Sequence, residues 1–209
     1  MPRVAALLLL LPSLAPPSAA PPSAAPARYR YTIEAAGSEL RWELPATLHT
    51  VEGTAPRVSG TIDVERLGGY RDPRAGEAWR GRVRVATEVS AMESGNASRD
   101  RKMRGTTLDA AHHPEIVFES RHVEADLSRF RPGAHLTVEV SGDLTVRGRS
   151  ARVRLPVDVF VFPDHVMLSG SFSLGWKQFG LPDPSFGIVT VREPVRVAFR
   201  LRAVPRRKP

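Results

Sequence analysis

LTVEVSGDLTVRGRSARVRLPVDV, residues 136–159, decides the fold. Leu136, Val138 and Val140 alternate with Thr137, Glu139 and Ser141. Beyond Arg147-Gly148, Val153, Leu155, Val157 and Val159 alternate with Arg152, Arg154 and Asp158. A period of two gives each run one apolar and one wet face, the pattern of a half-buried antiparallel strand. Arg-Gly between the runs is turn chemistry.

The same signature recurs outward from this stretch. Val83, Val85, Thr87 and Val89 alternate with Arg82, Arg84 and Glu88, and Val195, Val197, Phe199 and Leu201 with Arg196, Arg200 and Arg202. Val58, Gly60, Ile62 and Val64 repeat it, as do Val166, Leu168, Phe172 and Leu174. Residues 29–33 and 40–44 form two weaker strands. Gly68-Gly69, Asp72-Pro73, Arg131-Pro132-Gly133 and Pro163-Asp164 supply further turns. Strands at this spacing, without helical patterns between them, indicate an all-β barrel or sandwich. Residues 97–108 differ: polar, arginine-rich and without alternation, they read as a loop with one short helix at about 98–105.

The 209-residue chain opens with Met1-Pro2-Arg3, an apolar run to Leu11, then small residues and prolines through Ala27. This is the layout of a secretory signal, too short in its apolar part to span a bilayer. Pro-Pro-Ser-Ala-Ala occurs twice, as a flexible leader. With Ala25-Pro26-Ala27 as cleavage site, residues 1–27 are signal and leader, 28–204 one β domain, and 205–209 a basic, frayed tail. A periplasmic or secreted protein is expected. With no cysteine, disulfides, catalytic thiols and thiolate metal sites are excluded. The net charge of +8 is nearly all arginine and first of all describes a soluble surface. Export argues against nucleic acid as a partner.

HHPEIVFES, residues 112–120, is the one cluster that invites a metal. Adjacent His112 and His113 point apart in extended backbone, and Glu115 would have to fold back across Pro114. His122 takes the face of Phe118 and Ser120 in this reading. No HExxH, GxSxG or phosphate-binding loop occurs. The reading is that Pro114 holds His113 extended and launches a strand over 116–123, with no metal site and no catalytic residue assigned. Asn96-Ala97-Ser98 fits a glycosylation sequon, a pattern common by chance. Trp42, Trp79 and Trp176 suit core or barrel-end positions. Arg99, Arg101, Lys102 and Arg104 form either a solvated helix face or a cationic rim at a barrel mouth.

Four stretches together resemble the YceI-like proteins, a polyisoprenoid-binding, lipocalin-like family. GNASRDRKMRGTTLDAAHHPEIVFES (95–120) is similar to the family's glycine-asparagine turn, Arg-Asp, basic short helix, Leu-Asp and aromatic-Pro-x-Ile-x-Phe-x-Ser strand, with His113 where tyrosine is usual. GDLTVRGRSARVRLPV (142–157), FSLGWKQFGLPD (172–183) and VEGTAPRVSGTI (51–62) resemble three further family stretches, with Gln178 and Ala55 as departures. The resemblance implies an extended eight-stranded antiparallel barrel with one short helix in the 97–108 region. It also implies an isoprenoid lipid such as a quinone or prenyl diphosphate inside, carried or stored without catalysis and without a further cofactor. On that basis Trp42, Val83, Val85, Phe118, Leu136, Val138, Leu155, Val157, Leu168, Phe172, Val197 and Phe199 line the interior, and Arg99, Lys102 and Arg104 receive the head. Transient contact with a membrane surface follows, and oligomeric state is open, a homodimer included. Two rival readings remain: a metal-dependent hydrolase using His112, His113 and Glu115, or a filled barrel acting through its surface as a stress or redox-partner adaptor.

Overall fold

The computed structural model describes residues 28–72, 76–124, 130–185 and 189–206, with backbone alone at 66–72, 76–79, 122 and 124. The expected signal and leader, Pro73, residues 207–209 and the side chain of Trp79 lie outside this description. Strands run in the order β1 (Arg28–Leu44), β2 (Val51–Thr54), β3 (Val58–Asp72), β4 (Gly76–Glu88), β5 (Glu115–Glu124), β6 (His135–Val146), β7 (Arg149–Val161), β8 (Val166–Leu174) and β9 (Val195–Pro205). Each from β3 onward pairs antiparallel with the next, β1 pairs with β3, and β1 closes on β9. The result is an eight-stranded antiparallel barrel, with β2 added beside the second half of β1. No helix among the described residues is long and apolar enough to cross a membrane.

The β6–β7 hairpin is the most regular part, paired without a break from His135↔Phe160 to Val146↔Arg149. Leu144 and Val146 continue the inward phase of Val138 and Val140, and all four are buried. The two-residue turn has positive φ at Arg147 (48°) and Gly148 (72°), as a type I′ hairpin requires. His113 lies against it: a Cβ on Gly148 would come within 2.9 Å of the His113 ring.

Three departures from the sequence reading share one cause, since bulges preserve strands that alternation alone would break. The two weak strands near the start are one strand, β1. Its pairing with β9 jumps between Glu34 and Glu39. There Gly37 takes φ 81°, and Ser38 Oγ donates to Glu34 O (2.5 Å) and accepts from Arg202 N (2.9 Å). Gly68-Gly69 is not the β3–β4 turn but lies within β3, where the register shifts between Arg66 and Arg71. A third shift between Ser120 and His122 puts His122 opposite Ser141 and Val123 opposite Val140. Val123 therefore continues the inward set of Phe118. At the other terminus β9 runs through Pro205, and Arg206 N donates to Arg30 O (2.8 Å), so the basic tail is paired farther along than expected.

Gly148→Ala is expected to cost about 1–3 kcal/mol, the price of a left-handed non-glycine residue in a fixed turn. The urea midpoint should fall at unchanged slope. Adding His113→Ala should recover only the part due to the ring contact, and an unchanged midpoint for Gly148→Ala alone would contradict the turn geometry.

Candidate ligand-binding site

The barrel is hollow. Its interior holds two contiguous compartments, an inner one of about 180 Å³ and an outer one of about 630 Å³. Leu40, Thr87, Ile116, Leu144, Phe172 and Val197 border both. Among the described residues, no charged residue lines the inner compartment, and Tyr31 and Thr87 carry its only side-chain polar atoms. Eleven of the twelve residues expected to line the interior do border a compartment: Val83, Val85, Phe118, Val138, Leu155, Val157, Leu168, Phe172, Val197 and Phe199 surround the inner one. Trp42 stands at the outer one. Leu136 borders neither and packs against the cluster of Val138, Val157 and Val159, because it sits at the end of β6 beyond the hollow.

Wall glycines keep the aromatic rings out of the hollow. A Cβ on Gly170 would meet Phe199 at 2.8 Å, one on Gly142 would meet Phe118 at 2.7 Å, and one on Gly53 would meet Trp42 at 2.1 Å. Each ring therefore lies over a bare backbone on a neighbouring strand, the geometry in which aromatic residues compensate strand glycines.

The outer compartment is bounded by strand ends and by two loops. One contains α1 (Ala97–Lys102), whose N-cap Asn96 accepts from Arg99 N at 3.0 Å, followed by a wider turn over Met103–Thr107. Its anchor is Asp100. This carboxylate is buried at 7% exposure, accepts from Ser94 N at 2.8 Å and also from Ser94 Oγ. The other loop places Trp176, Phe179, Leu181, Pro184, Val189 and Val191 on the same compartment. Sequence reasoning missed this second rim, because 176–191 has no periodicity. It also missed Leu144, which the alternation of β6 does mark.

Of the three cations expected at the head, Arg99 and Lys102 border the outer compartment, and among the described residues no acidic one does. Both are also structural. Arg99 donates to Ser94 Oγ (2.7 Å) and Ser94 O (2.8 Å), and Lys102 Nζ to Ser185 O (3.0 Å), tying one rim loop to the other. Arg104 instead borders a separate surface hollow with Asn96, Asp100 and Arg101, and its Nε donates to Met92 O at 2.7 Å. Three buried donors, Trp42 Nε1, Trp176 Nε1 and Thr87 Oγ1, have no hydrogen-bond partner among the described residues, and their polar atoms are covered.

The histidine cluster does not converge. His112 Nδ1 is 2.9 Å from Asp109 Oδ1 and exposed, an arrangement that holds the Asp109 carboxyl below its ordinary value chiefly through that hydrogen bond. His113 covers the β6–β7 turn, and Glu115 accepts from Arg84 at 3.3 Å on the outer wall. Among the described residues no three His, Cys, Asp or Glu side chains are grouped as metal ligands would be.

Solved structures with the same barrel include BcnA of Burkholderia cenocepacia (19% identity, TM-score 0.62, 82% of this chain and 99% of that one). A polyisoprenoid binding domain from Saccharophagus degradans, implicated in plant cell wall breakdown, shares 16% identity at TM-score 0.67, over 84% and 98%. A Campylobacter jejuni YCEI protein shares 15% at TM-score 0.57, over 78% and 88%. Comparison with curated protein sequences yields no match. The family model described as YceI-like domain matches residues 31–203, nearly the whole barrel from β1 to β9, and the chain belongs to the YceI-like family.

Proposed function

We propose that this protein binds one isoprenoid lipid in the barrel and carries or stores it without catalysis, as an exported, periplasmic or secreted protein. The observation that supports this most is the apolar inner compartment, continuous through shared lining residues with an outer one that carries Arg99 and Lys102. Transfer of hydrocarbon from water is worth about 0.8 kcal/mol per CH₂ buried, and contacts with Val, Leu and Phe have no direction, which suits a flexible tail. Small barrels of this strand number hold a single ligand. The family membership and the polyisoprenoid binding domain from S. degradans favour a lipid of this class over other apolar ligands. A quinone or prenyl diphosphate head would lie in the outer compartment near Arg99 and Lys102, where two cations and no acid border the space. The hollow interior removes the motive for the filled-barrel adaptor. The separation of His112, His113 and Glu115 leaves the hydrolase reading without a site.

Native mass spectrometry of the protein from its own host should show a co-purified lipid. Failing that, isothermal titration should show binding of an added quinone or prenyl diphosphate. No lipid in the first and no binding in the second would overturn the proposal.

Tail length gives a finer expectation. Leu168 borders the inner compartment but not the outer one. Leu168→Trp should exclude the end of a long tail and weaken a long-tailed quinone by about 2 kcal/mol or more, at least about thirtyfold. A quinone with a single isoprene unit should bind almost unchanged. Equal losses for both would place the tail elsewhere.

A further inference from the structure

We infer that the barrel has a lateral seam between β4 and β5, through which lipid passes, and that the arginines over it dock on an anionic phospholipid surface. This rests on the lipid-binding reading above but concerns a different place, the wall away from the α1 rim. β4 and β5 pair only from Arg84↔Glu119 to Glu88↔Glu115. Both strands continue past that point with their other neighbours, β4 on β3 to Asp72↔Gly76 and β5 on β6 to Glu124↔Glu139. Among the described residues, no ladder pairing joins the two strands between 80–83 and 120–123. A single side-chain bond, Val83 N to Ser120 Oγ at 2.7 Å, ends the ladder.

Among the described residues, one apolar contact shuts the seam. Val123 lies on Gly81 so closely that a Cβ there would be 3.1 Å from the Val123 Cβ and Cγ2. Gly81, Val83 and Val123 border the inner compartment on one side and an outer cleft of about 760 Å³ on the other. Where its side chains are described, the wall here is one layer of Gly81, Val83 and Val123. Among the described residues, opening it breaks that contact and one hydrogen bond rather than a row of ladder bonds, which is where a sheet is easiest to part.

The charge outside the seam is unbalanced. Arg80, Arg82, Arg84 and Arg121 border the cleft with Asp63 and Glu119. On the outer face, Glu65 lies between Arg28 and Arg80, and Asp63 between Arg30 and Arg82. Both acids are taken from the β1 side: Glu65 pairs with Arg28 at 2.8 Å, and Asp63 with Arg30. Arg84 pairs with Glu115 and Glu119, and Arg121 with Asp143. Arg80 and Arg82 are exposed and have no ion pair among the described residues. Arginine near an anionic bilayer gains attraction that adds residue by residue, so this excess would turn the seam toward the membrane, where tails are.

The absence of native cysteine makes a clean test. Gly81→Cys with Val123→Cys sets two Cβ atoms near disulfide distance. Wild-type and variant protein would be mixed with quinone-loaded vesicles of phosphatidylglycerol and phosphatidylcholine, and uptake followed by quenching of tryptophan fluorescence. The oxidised variant should load at least about tenfold more slowly than the wild type, with reduction restoring the rate. Val123→Ala, which thins the seal without a crosslink, should load faster than wild type. Arg80→Gln with Arg82→Gln should lower co-sedimentation with the anionic vesicles by about thirtyfold, at roughly fivefold per arginine, and leave quinone affinity in detergent unchanged. Equal loading by the oxidised, reduced and Val123→Ala proteins overturns the seam while leaving lipid binding intact. Arginine-independent co-sedimentation overturns the docking surface. No loading in any form overturns this inference and the lipid-binding reading together.

Discussion

The placing of aromatic rings against bare backbone is the constraint on which the hollow depends. Phe118, Phe199 and Trp42 all point inward, and at ordinary strand positions their rings would project into the tunnel. Gly142, Gly170 and Gly53 give each ring a place to lie on the wall. A strand glycine forfeits side-chain packing and conformational entropy, and the ring that covers it returns part of that loss. The same pairing therefore stabilises the sheet and empties its middle. Residues that seal a solid core elsewhere here make the surface of a chamber.

Closure imposes the second condition. A barrel has no free edge only if its first and last strands meet, and β1 must cover β9 along its length while also serving β3 and then β2. A straight strand could not follow that path. The bulge between Glu34 and Glu39, with Gly37 in the left-handed region and Ser38 stitching both sides, bends β1 where its partner on the other edge changes from β3 to β2. Closure is thus tight on the β1–β9 side and lapses between β4 and β5. The β6–β7 hairpin next to β5 keeps its register unbroken, which gives the looser wall a fixed frame.

The sequence made the strands legible because one face of each meets hydrocarbon-like surroundings and the other meets water. That contrast forces a period of two in β4, β6, β7 and β9, and it marked Val83, Phe118, Leu155 and Phe199 as inward residues. It was silent wherever structure depends on register. Gly68-Gly69 reads as a turn because glycine serves turns and bulges equally, and only the partner strand decides which. Val123 joins the inward set without an alternating signal because one extra residue at Arg121 shifts the register. The rim formed by 176–191 carries no period, and its residues meet the chamber through tertiary contact alone. The family resemblance supplied eight strands and an isoprenoid guest, neither of which alternation could distinguish from a sandwich or a packed barrel.

The two ends of the cavity differ in how their charge is used, and that difference orders their roles. At the α1 rim, Arg99, Lys102 and Arg104 donate to main-chain carbonyls of Ser94, Ser185 and Met92. Carbonyl partners fix a cation without neutralising it, so the rim is held in shape while the charge of Arg99 persists over a compartment that no acidic residue borders among the described residues. This suits retention of a polar head at a set depth. On the outer wall, charge is spent in pairs across β1 and β3 and left over on β4. An exposed cation without a partner has weak influence at short range but sums with others over a charged plane. On the proposed reading, rim charge would address one bound molecule and wall charge a surface, a division that their separate places, at the outer compartment and over the β4 wall, make possible.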